Sequence, residues 1–391
     1  MVQRIRYAIW IKTWILYLIK IEISRTISKY LLRSSHRIEI TKVVNQALIS
    51  DGNSFAVLAL FPEENNIYSI SIRILIKELQ ANGIHIIAML NRDANASLNQ
   101  MLLEMNCTII KRRNVGRDFG AYKEGVLWLN REVGLDKIKR LLLINDTLLW
   151  MNNETRIVAE TLKDDWSTLY LNLDIHTHAQ SFYLSFSNEV ISNKNFVNFW
   201  KEYVPTKFRR HAILYGEIKL SEVLVKAGYR CKPLITSSWI NGLSENLGDE
   251  ASLFSIISSL YICEIGGVTP PGVSSGRKDP GKEIRQFLGF ADLNAKFDLD
   301  KSEQFNNLIR LINQYCHSAA PHRIGLYLYV LFGMPLKTDI YKCYSLSEIH
   351  RCVDYKNREY SDDLLDYLSG KSQQFMEGSR ANIKRRKLGE I

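Results

Sequence analysis

Asn114, Gly116, Arg117, Asp118 and Gly120 stand together in NVGRDFGAY (114–122), and the apolar run RLLLIN then delivers Asn145 and Asp146. Glycines in a turn that feeds a helix let backbone approach a bulky anion, and the free N–H groups of the helix start favour negative charge. An acid at a strand tip can hold a divalent cation on phosphate oxygens. Together these residues point to the handling of a nucleotide diphosphate. Each has a plainer use as well: Asp118 as a helix N-cap, Asp146 as a cap of the next turn, and the glycines as backbone geometry.

The elements that must position them follow from the spacing of apolar residues. From Ser54 onward short apolar strands alternate with amphipathic helices, the pattern of a largely parallel sheet covered on both faces. Strands are predicted at Phe55–Phe61, His85–Leu90, Cys107–Lys111 and Arg140–Asn145, with helices over 67–82, 98–105 and 118–129 between them. Beyond Asp146 come a helix over 154–162, strands in TLYLNL and SFYLSF, and a helix over 193–203. A helix over 217–227 places Leu220, Val223, Leu224 and Ala227 on one face, with Gly228 as a left-handed cap and Glu217 at its start. The turn-rich GGVTPPGVSSGRKDPGK (266–282) reads as a boundary or mobile loop, followed by helical patterns.

The chain has 391 residues, 46% hydrophobic and 24% charged, which suits one large domain with additions or two domains. Its six cysteines form no C-x-x-C pair and no Cys/His cluster, so neither a disulfide framework nor a structural zinc site is implied, and scattered thiols fit the cytoplasm. Of the net charge of +10, residues 1–43 carry +7, from nine Lys/Arg against Glu22 and Glu39. The near-neutral remainder argues against a nucleic-acid-binding face. Residues 7–23 are apolar nearly all round but are interrupted by Lys12 and Lys20, and they are short for a bilayer span of roughly 20 residues. With Trp10 and Trp14 one turn apart, the segment suits either a basic amphipathic helix in the headgroup layer of an anionic membrane or a helix packed on the domain. No small-residue cleavage site marks it as a signal peptide.

NVGRDFGAYKEG, the strand ending Asn145-Asp146-Thr147, the His178–Phe182 run HAQSF, the Phe199-Trp200 pair and the stretch from Glu217 to Tyr229 together resemble the rhamnan synthesis protein F family of glycosyltransferases. They resemble more distantly the inverting A-type transferases that use nucleotide sugars. The resemblance runs from about Phe55 to Arg230. It implies an α/β fold of the A-type glycosyltransferase kind, Rossmann-like, with a mostly parallel sheet flanked by helices. The layout that follows is a basic amphipathic helix over 1–43, a catalytic domain over 50–265, a Gly/Pro-rich loop over 266–284, a helical extension over 285–372 and a polar basic tail over 373–391.

The same resemblance implies a nucleoside diphosphate sugar as donor, L-rhamnose on dTDP, and a growing bacterial surface polysaccharide on a lipid carrier as acceptor. It places the protein in the cytoplasm, peripheral on the inner face of the membrane. Asn114, Gly116, Arg117, Asp118, Gly120 and Asn145 would meet the donor; His178, Gln180 and Ser181 would meet acceptor hydroxyls. Asp146 would anchor Mg²⁺ or Mn²⁺ and offset the charge of the leaving diphosphate. Inverting transfer needs a base, and Glu217 falls at the second of two acids that begin this helix in the distant relatives; Glu222 is the weaker substitute. A first-turn Glu complementing the helix dipole is the plainer reading.

Phe199 and Trp200 could stack on a sugar, though aromatics at helical spacing are more often core. Arg277, Lys278 and Lys282 could close over the diphosphate or be solvated linker. The chain departs from the pattern at Ile144-Asn145-Asp146, where only the last acid of the usual acid-x-acid pair remains. A catalytically silent assembly partner that keeps the fold is therefore the rival reading. Kinases and dehydrogenases are poorly supported, since neither a Walker loop nor a G-x-G-x-x-G after the first strand occurs.

Overall fold

The computed structural model describes residues 40–44, 53–151, 157–172, 177–236 and 324–373 apart from 343, 345 and 357, together with 321 and seven positions between 15 and 27. The 266–282 stretch with Arg277, Lys278 and Lys282, the 373–391 tail beyond its first residue, and most of the N-terminal segment lie outside the described residues.

Eight strands form one sheet: β1 (Ile40–Val44), β2 (Ser54–Leu60), β3 (Ile84–Leu90), β4 (Thr108–Arg112), β5 (Arg140–Asn145), β7 (Trp166–Thr168), β10 (Tyr183–Ser187) and β11 (Lys232–Pro233). Two-residue strands form two small extra sheets. β6 (Leu148–Leu149) pairs with β12 (Leu336–Lys337), and β8 (Leu171–Asn172) with β9 (His178–Ala179). The order across the large sheet is β1-β4-β3-β2-β5-β10-β7-β11. Its centre, β4-β3-β2-β5, is parallel, β1 and β10 run antiparallel to their inner neighbours, and β7 runs antiparallel to β10.

The central strands are continuous apolar runs because both faces are covered. Ala56, Leu58 and Leu60 of β2 join the core under the Asn66–Ala81 and Ala96–Glu104 helices and the helix Gly325–Phe332, while Phe55, Val57 and Ala59 join the core under helices Arg117–Glu132, Lys194–Glu202 and Lys219–Lys226. The helices begin where expected for a physical reason: Asn65 and Asn95 accept from the N–H groups of Ile67 and Leu98, both at 2.8 Å. The Arg117–Glu132 helix lies tight on the sheet at Gly125, where a Cβ would run into Val57. Along the chain the strands step outward from β2 to β3 and β4, then return across the sheet to β5 on the other side of β2. That reversal makes the carboxyl ends of β2 and β5 a topological switch point, the place where open α/β sheets bind ligands.

Three expectations are corrected, and a fourth, the helical C-terminal extension, holds with one addition. Residues 1–43 are not one helix: the described positions between 15 and 27 are helical, but Ile40–Val44 is an edge strand, as the β-branched Ile40, Thr41, Val43 and Val44 favour. TLYLNL is split, its start closing β7 and its Leu171–Asn172 pairing separately with His178–Ala179. Glu217 does not begin a helix. It lies in a π-helical turn, Ala212–Ile218, which runs between Arg209–His211 and Lys219–Lys226. The C-terminal region is helical over Gly325–Phe332, Leu346–Lys356 and 361–373, yet it also contributes β12, which crosses to the end of β5.

Candidate active site

The turn before the Arg117–Glu132 helix is built from below. Arg112, at the end of β4, donates from Nε and Nη2 to Glu124 at 2.8 and 2.9 Å, from Nη2 to the Val115 carbonyl at 2.7 Å, and from Nη1 to Asn91. This buried fork holds the turn against its own helix. Gly116 has φ +81°, and a Cβ there would overlap Pro205; a Cβ at Gly120 would overlap the Val115 carbonyl. Arg117 takes φ +58°, a left-handed conformation uncommon for a residue with a side chain. Asn114 and Arg117 are exposed on this turn.

Asp118 points into the switch point. Its Oδ1 accepts from the Phe119 N–H at 3.0 Å, and its Oδ2 accepts from Asn145 Nδ2 at 3.0 Å and lies 3.2 Å from Ser181 Oγ. Ser181 Oγ is 2.5 Å from Glu217 Oε1, which also faces the Ser181 N–H at 3.3 Å. A hydroxyl has one proton, so Ser181 donates to one of the two carboxylates at a time, with Glu217 the nearer. Burial, and next the charge of Glu217, push Asp118 above the usual carboxylate range. His178, 5% exposed, brings Nε2 to 3.5 Å from the other Glu217 oxygen, whose side chain keeps 18% exposure. The Tyr122 hydroxyl donates to the Ser181 carbonyl at 2.8 Å, and Ser221 Oγ accepts from the Ala179 N–H at 3.1 Å, so the His178–Ser181 segment is pinned from two helices.

The structure thus gathers five of the sequence-predicted residues, Asp118, Asn145, His178, Ser181 and Glu217, into one array. Gln180 adjoins it, its N–H bonded to the Tyr170 carbonyl at 3.2 Å and its buried Oε1 without a partner among the described residues. Glu222 points elsewhere, to Lys219 at 3.2 Å. Phe199 and Trp200 belong to the core, Trp200 stacked on Phe119 at 5.8 Å, and neither is free to meet a sugar.

Asp146 behaves differently. Its Oδ2 accepts from the Phe61 N–H at 2.5 Å and from the Tyr68 hydroxyl at 2.9 Å, tying the end of β5 to the end of β2. Burial pushes its carboxyl up to about 6. Among the described residues no three His, Cys, Asp or Glu side chains converge where they could hold a metal ion. With one carboxylate, half of it engaged by two donors, the described residues do not by themselves make the expected cation site.

Three features lay beyond sequence reasoning. Gly216 lets the π-helical turn close on Phe119, whose ring carbons would be 2.8 Å from a Cβ. The π turn itself, a feature often found at functional sites, carries no sequence signal. Lys337 enters the site from 190 residues downstream of Thr147, to whose Oγ1 it donates at 2.5 Å, with Phe182 beneath it at 4.9 Å.

A sheet with a parallel centre, helices on both faces and a polar array at the switch point defines an α/β domain with two neighbouring carboxylates at the carboxyl ends of its central strands. Residues 86–254 match the family model of Rhamnan synthesis protein F, a span that contains the Asn114–Tyr122 turn, Asp146, Ser181 and Glu217, and the resemblance read from the motifs holds there. The chain is 24% identical over 181 residues to the uncharacterized protein y4gN of Sinorhizobium fredii, covering 44% of this chain and 46% of that one. It is 28% identical over 127 residues to virulence protein VirA of Vibrio anguillarum, covering 32% and 41% respectively. It therefore matches less than half the length of either relative. A solved mannosyltransferase from Pyrobaculum calidifontis, in complex with GDP-Man and Mn²⁺, aligns over 95% of this chain and 98% of its own at 10% identity with a TM-score of 0.29, too loose a superposition to bear on fold or ligand.

Proposed function

We propose that this protein is an inverting glycosyltransferase of the A-type fold that takes its sugar from a nucleoside diphosphate. The family match supports the class. The observation that carries the reading is Glu217: a partly exposed carboxylate in a π-helical turn, held by Ser181 and His178 and linked through Ser181 to Asp118 and Asn145 at the switch point. In the reaction, an acceptor hydroxyl attacks the anomeric carbon and passes its proton to Glu217. The bond from that carbon to the phosphate oxygen breaks, and the nucleoside diphosphate leaves with the electron pair. Ser181 and His178 aim the base; Asn114, Gly116, Arg117, Asp118, Gly120 and Asn145 surround the donor; His178, Gln180 and Ser181 face the acceptor. A divalent cation, Mg²⁺ or Mn²⁺, enters this reading through the resemblance alone; Asp146 would be its one carboxylate among the described residues, and the ion would offset the charge of the leaving diphosphate.

By the same resemblance the donor is dTDP-L-rhamnose and the acceptor a growing surface polysaccharide on a lipid carrier, met at the cytoplasmic face of the membrane. Exposed Ile15, Ile19, Ile23 and Ile27, 48–54% accessible and one helical turn apart in a basic segment, support interfacial contact. No helix among the described residues is long and apolar enough to cross a membrane. The missing first acid at Ile144-Asn145-Asp146 favours the second reading, a catalytically silent partner in polysaccharide assembly. A screen of sugar nucleotides for hydrolysis and transfer, with and without Mn²⁺, decides between them. Turnover with one donor that is lost in Glu217→Gln establishes the transferase; no turnover with any donor leaves the silent partner.

A further inference from the structure

We infer that Lys337 forms the cationic subsite for the diphosphate of the donor, at the carboxyl end of β5. This rests on the proposed use of a nucleoside diphosphate sugar. β12 pairs antiparallel with β6, placing Lys337 opposite Leu148, and the Thr338 N–H donates to the Thr147 carbonyl at 3.0 Å, so the lysine is held by backbone as well as by side chain. The ammonium spends one of its three donors on Thr147 Oγ1, and Thr147 Oγ1 in turn bonds Asn145 Oδ1 at 2.6 Å. The Asn145 amide passes the connection to Asp118.

The charges of Asp339, Arg209, Asp118 and Glu217 all act on Lys337, yet none of the described carboxylates forms a salt bridge with it. Asp118 and Glu217 are engaged by Asn145, Ser181 and His178, and Asp146 is engaged by Phe61 and Tyr68. A half-buried ammonium is costly unless an anion meets it. Burial lowers Lys337 to about 8, which still leaves it mostly charged at neutral pH.

An anion that settles between Lys337 and the start of the Arg117–Glu132 helix would complete the site. In the transfer step, when the bond from the anomeric carbon to the diphosphate breaks, negative charge grows on the departing oxygen. The Lys337 N–H groups hydrogen-bond that oxygen without giving up a proton. Asp146 is bonded to the Phe61 N–H and the Tyr68 hydroxyl rather than to the lysine.

The test is calorimetric binding of dTDP, UDP, GDP and ADP and of the corresponding monophosphates to the full chain in EDTA, for wild type, Lys337→Met, Lys337→Gln and Lys337→Arg. Loss of a charged hydrogen bond weakens the preferred diphosphate by about ten- to a hundred-fold in the Met and Gln variants. Their preference for diphosphate over monophosphate collapses, and Arg keeps most of it. Thermal melting identifies any variant that has not folded, and two neutral variants keep the comparison alive if one fails. Undiminished diphosphate preference in a folded neutral variant overturns the role of Lys337 and leaves the donor reading intact. Binding of no nucleoside diphosphate by wild type, in EDTA and again with Mn²⁺, overturns the donor reading, and the inference falls with it.

Discussion

Arg112 donates from Nε and Nη2 to the two carboxylate oxygens of Glu124, at 2.8 and 2.9 Å, with the arginine side chain wholly buried. The pair joins the end of β4 to the helix that follows it and fixes the turn carrying Gly116 and Asp118 between them. Such a pair adds little over well-packed apolar residues, but removing one partner strands a buried charge at a cost of about 3–5 kcal/mol. Glu124→Ala therefore lowers the urea midpoint strongly, and the double variant Arg112→Met/Glu124→Leu is much closer to wild type. Equal losses in single and double variants would show that the pair is not what holds the turn.

Gly216 and Phe119 make the second structural prediction. A Cβ at 216 would lie 2.8 Å from the Phe119 ring, which is itself packed on Trp200 and Tyr203. Overpacking of this kind costs about 1–3 kcal/mol, and it displaces the turn that holds Glu217. Gly216→Ala is expected to melt several degrees lower and to lose transfer activity beyond what its melting explains; an unchanged melting temperature would refute the packing argument.

Glu217→Gln keeps the size and the Ser181 contact but removes the base. Transfer falls about 10²–10⁴-fold, while melting temperature and diphosphate affinity stay near wild type. A loss of affinity with kcat preserved would reassign Glu217 to donor binding.

His211 supplies a pH dependence. It is fully buried, stacked on Tyr215 at 4.8 Å, and neither ring nitrogen has a hydrogen-bond partner among the described residues. Burial first, and the charge of Arg25 second, lower it to about 4, against the opposing pull of Glu22. The unfolded chain thus binds a proton between about pH 6.5 and 4 that the folded chain refuses. Stability from this group is complete above that window and is lost as pH falls through it, by roughly 3 kcal/mol. Urea titrations at pH 7 and pH 4.5 should show the loss in wild type and a smaller one in His211→Phe; parallel losses would place the acid sensitivity elsewhere.

The isoleucine stripe predicts membrane partition. Replacing Ile15, Ile19, Ile23 and Ile27 with Ser removes apolar area worth up to about 1.5–3 kcal/mol per residue if fully inserted. Co-sedimentation with anionic vesicles should fall at least about tenfold, with diphosphate binding unchanged. Unaltered sedimentation would assign the stripe to another surface.

The central strands and the helices between them were legible because period and capping are local. FAVLALF, HIIAML and RLLLIN are apolar on both faces, and Gly228 marks a helix end through its left-handed backbone. Asp118, Asn145, His178, Ser181 and Glu217 could be named one by one from their motifs. Their hydrogen bonds to one another could not, since they join positions as far as 63 residues apart. Lys337 was hidden for the same reason: PLKTD has no distinguishing pattern, and only the pairing of β12 with β6 carries it to Thr147.

The sequence alone therefore determined the alternation of strands and helices, the turn at Gly116 and the acids available to the site, all properties of neighbouring residues. Tertiary structure decided which acid joins the Ser181 array and which bridges the ends of β2 and β5. Asp118 turns inward because Asn145 and Ser181 meet it there, Asp146 turns to β2 because Phe61 and Tyr68 offer it donors, and Glu217 reaches Ser181 from a π turn that Gly216 allows against Phe119. A carboxylate follows its nearest donors, and those donors are set by packing between segments far apart in the chain.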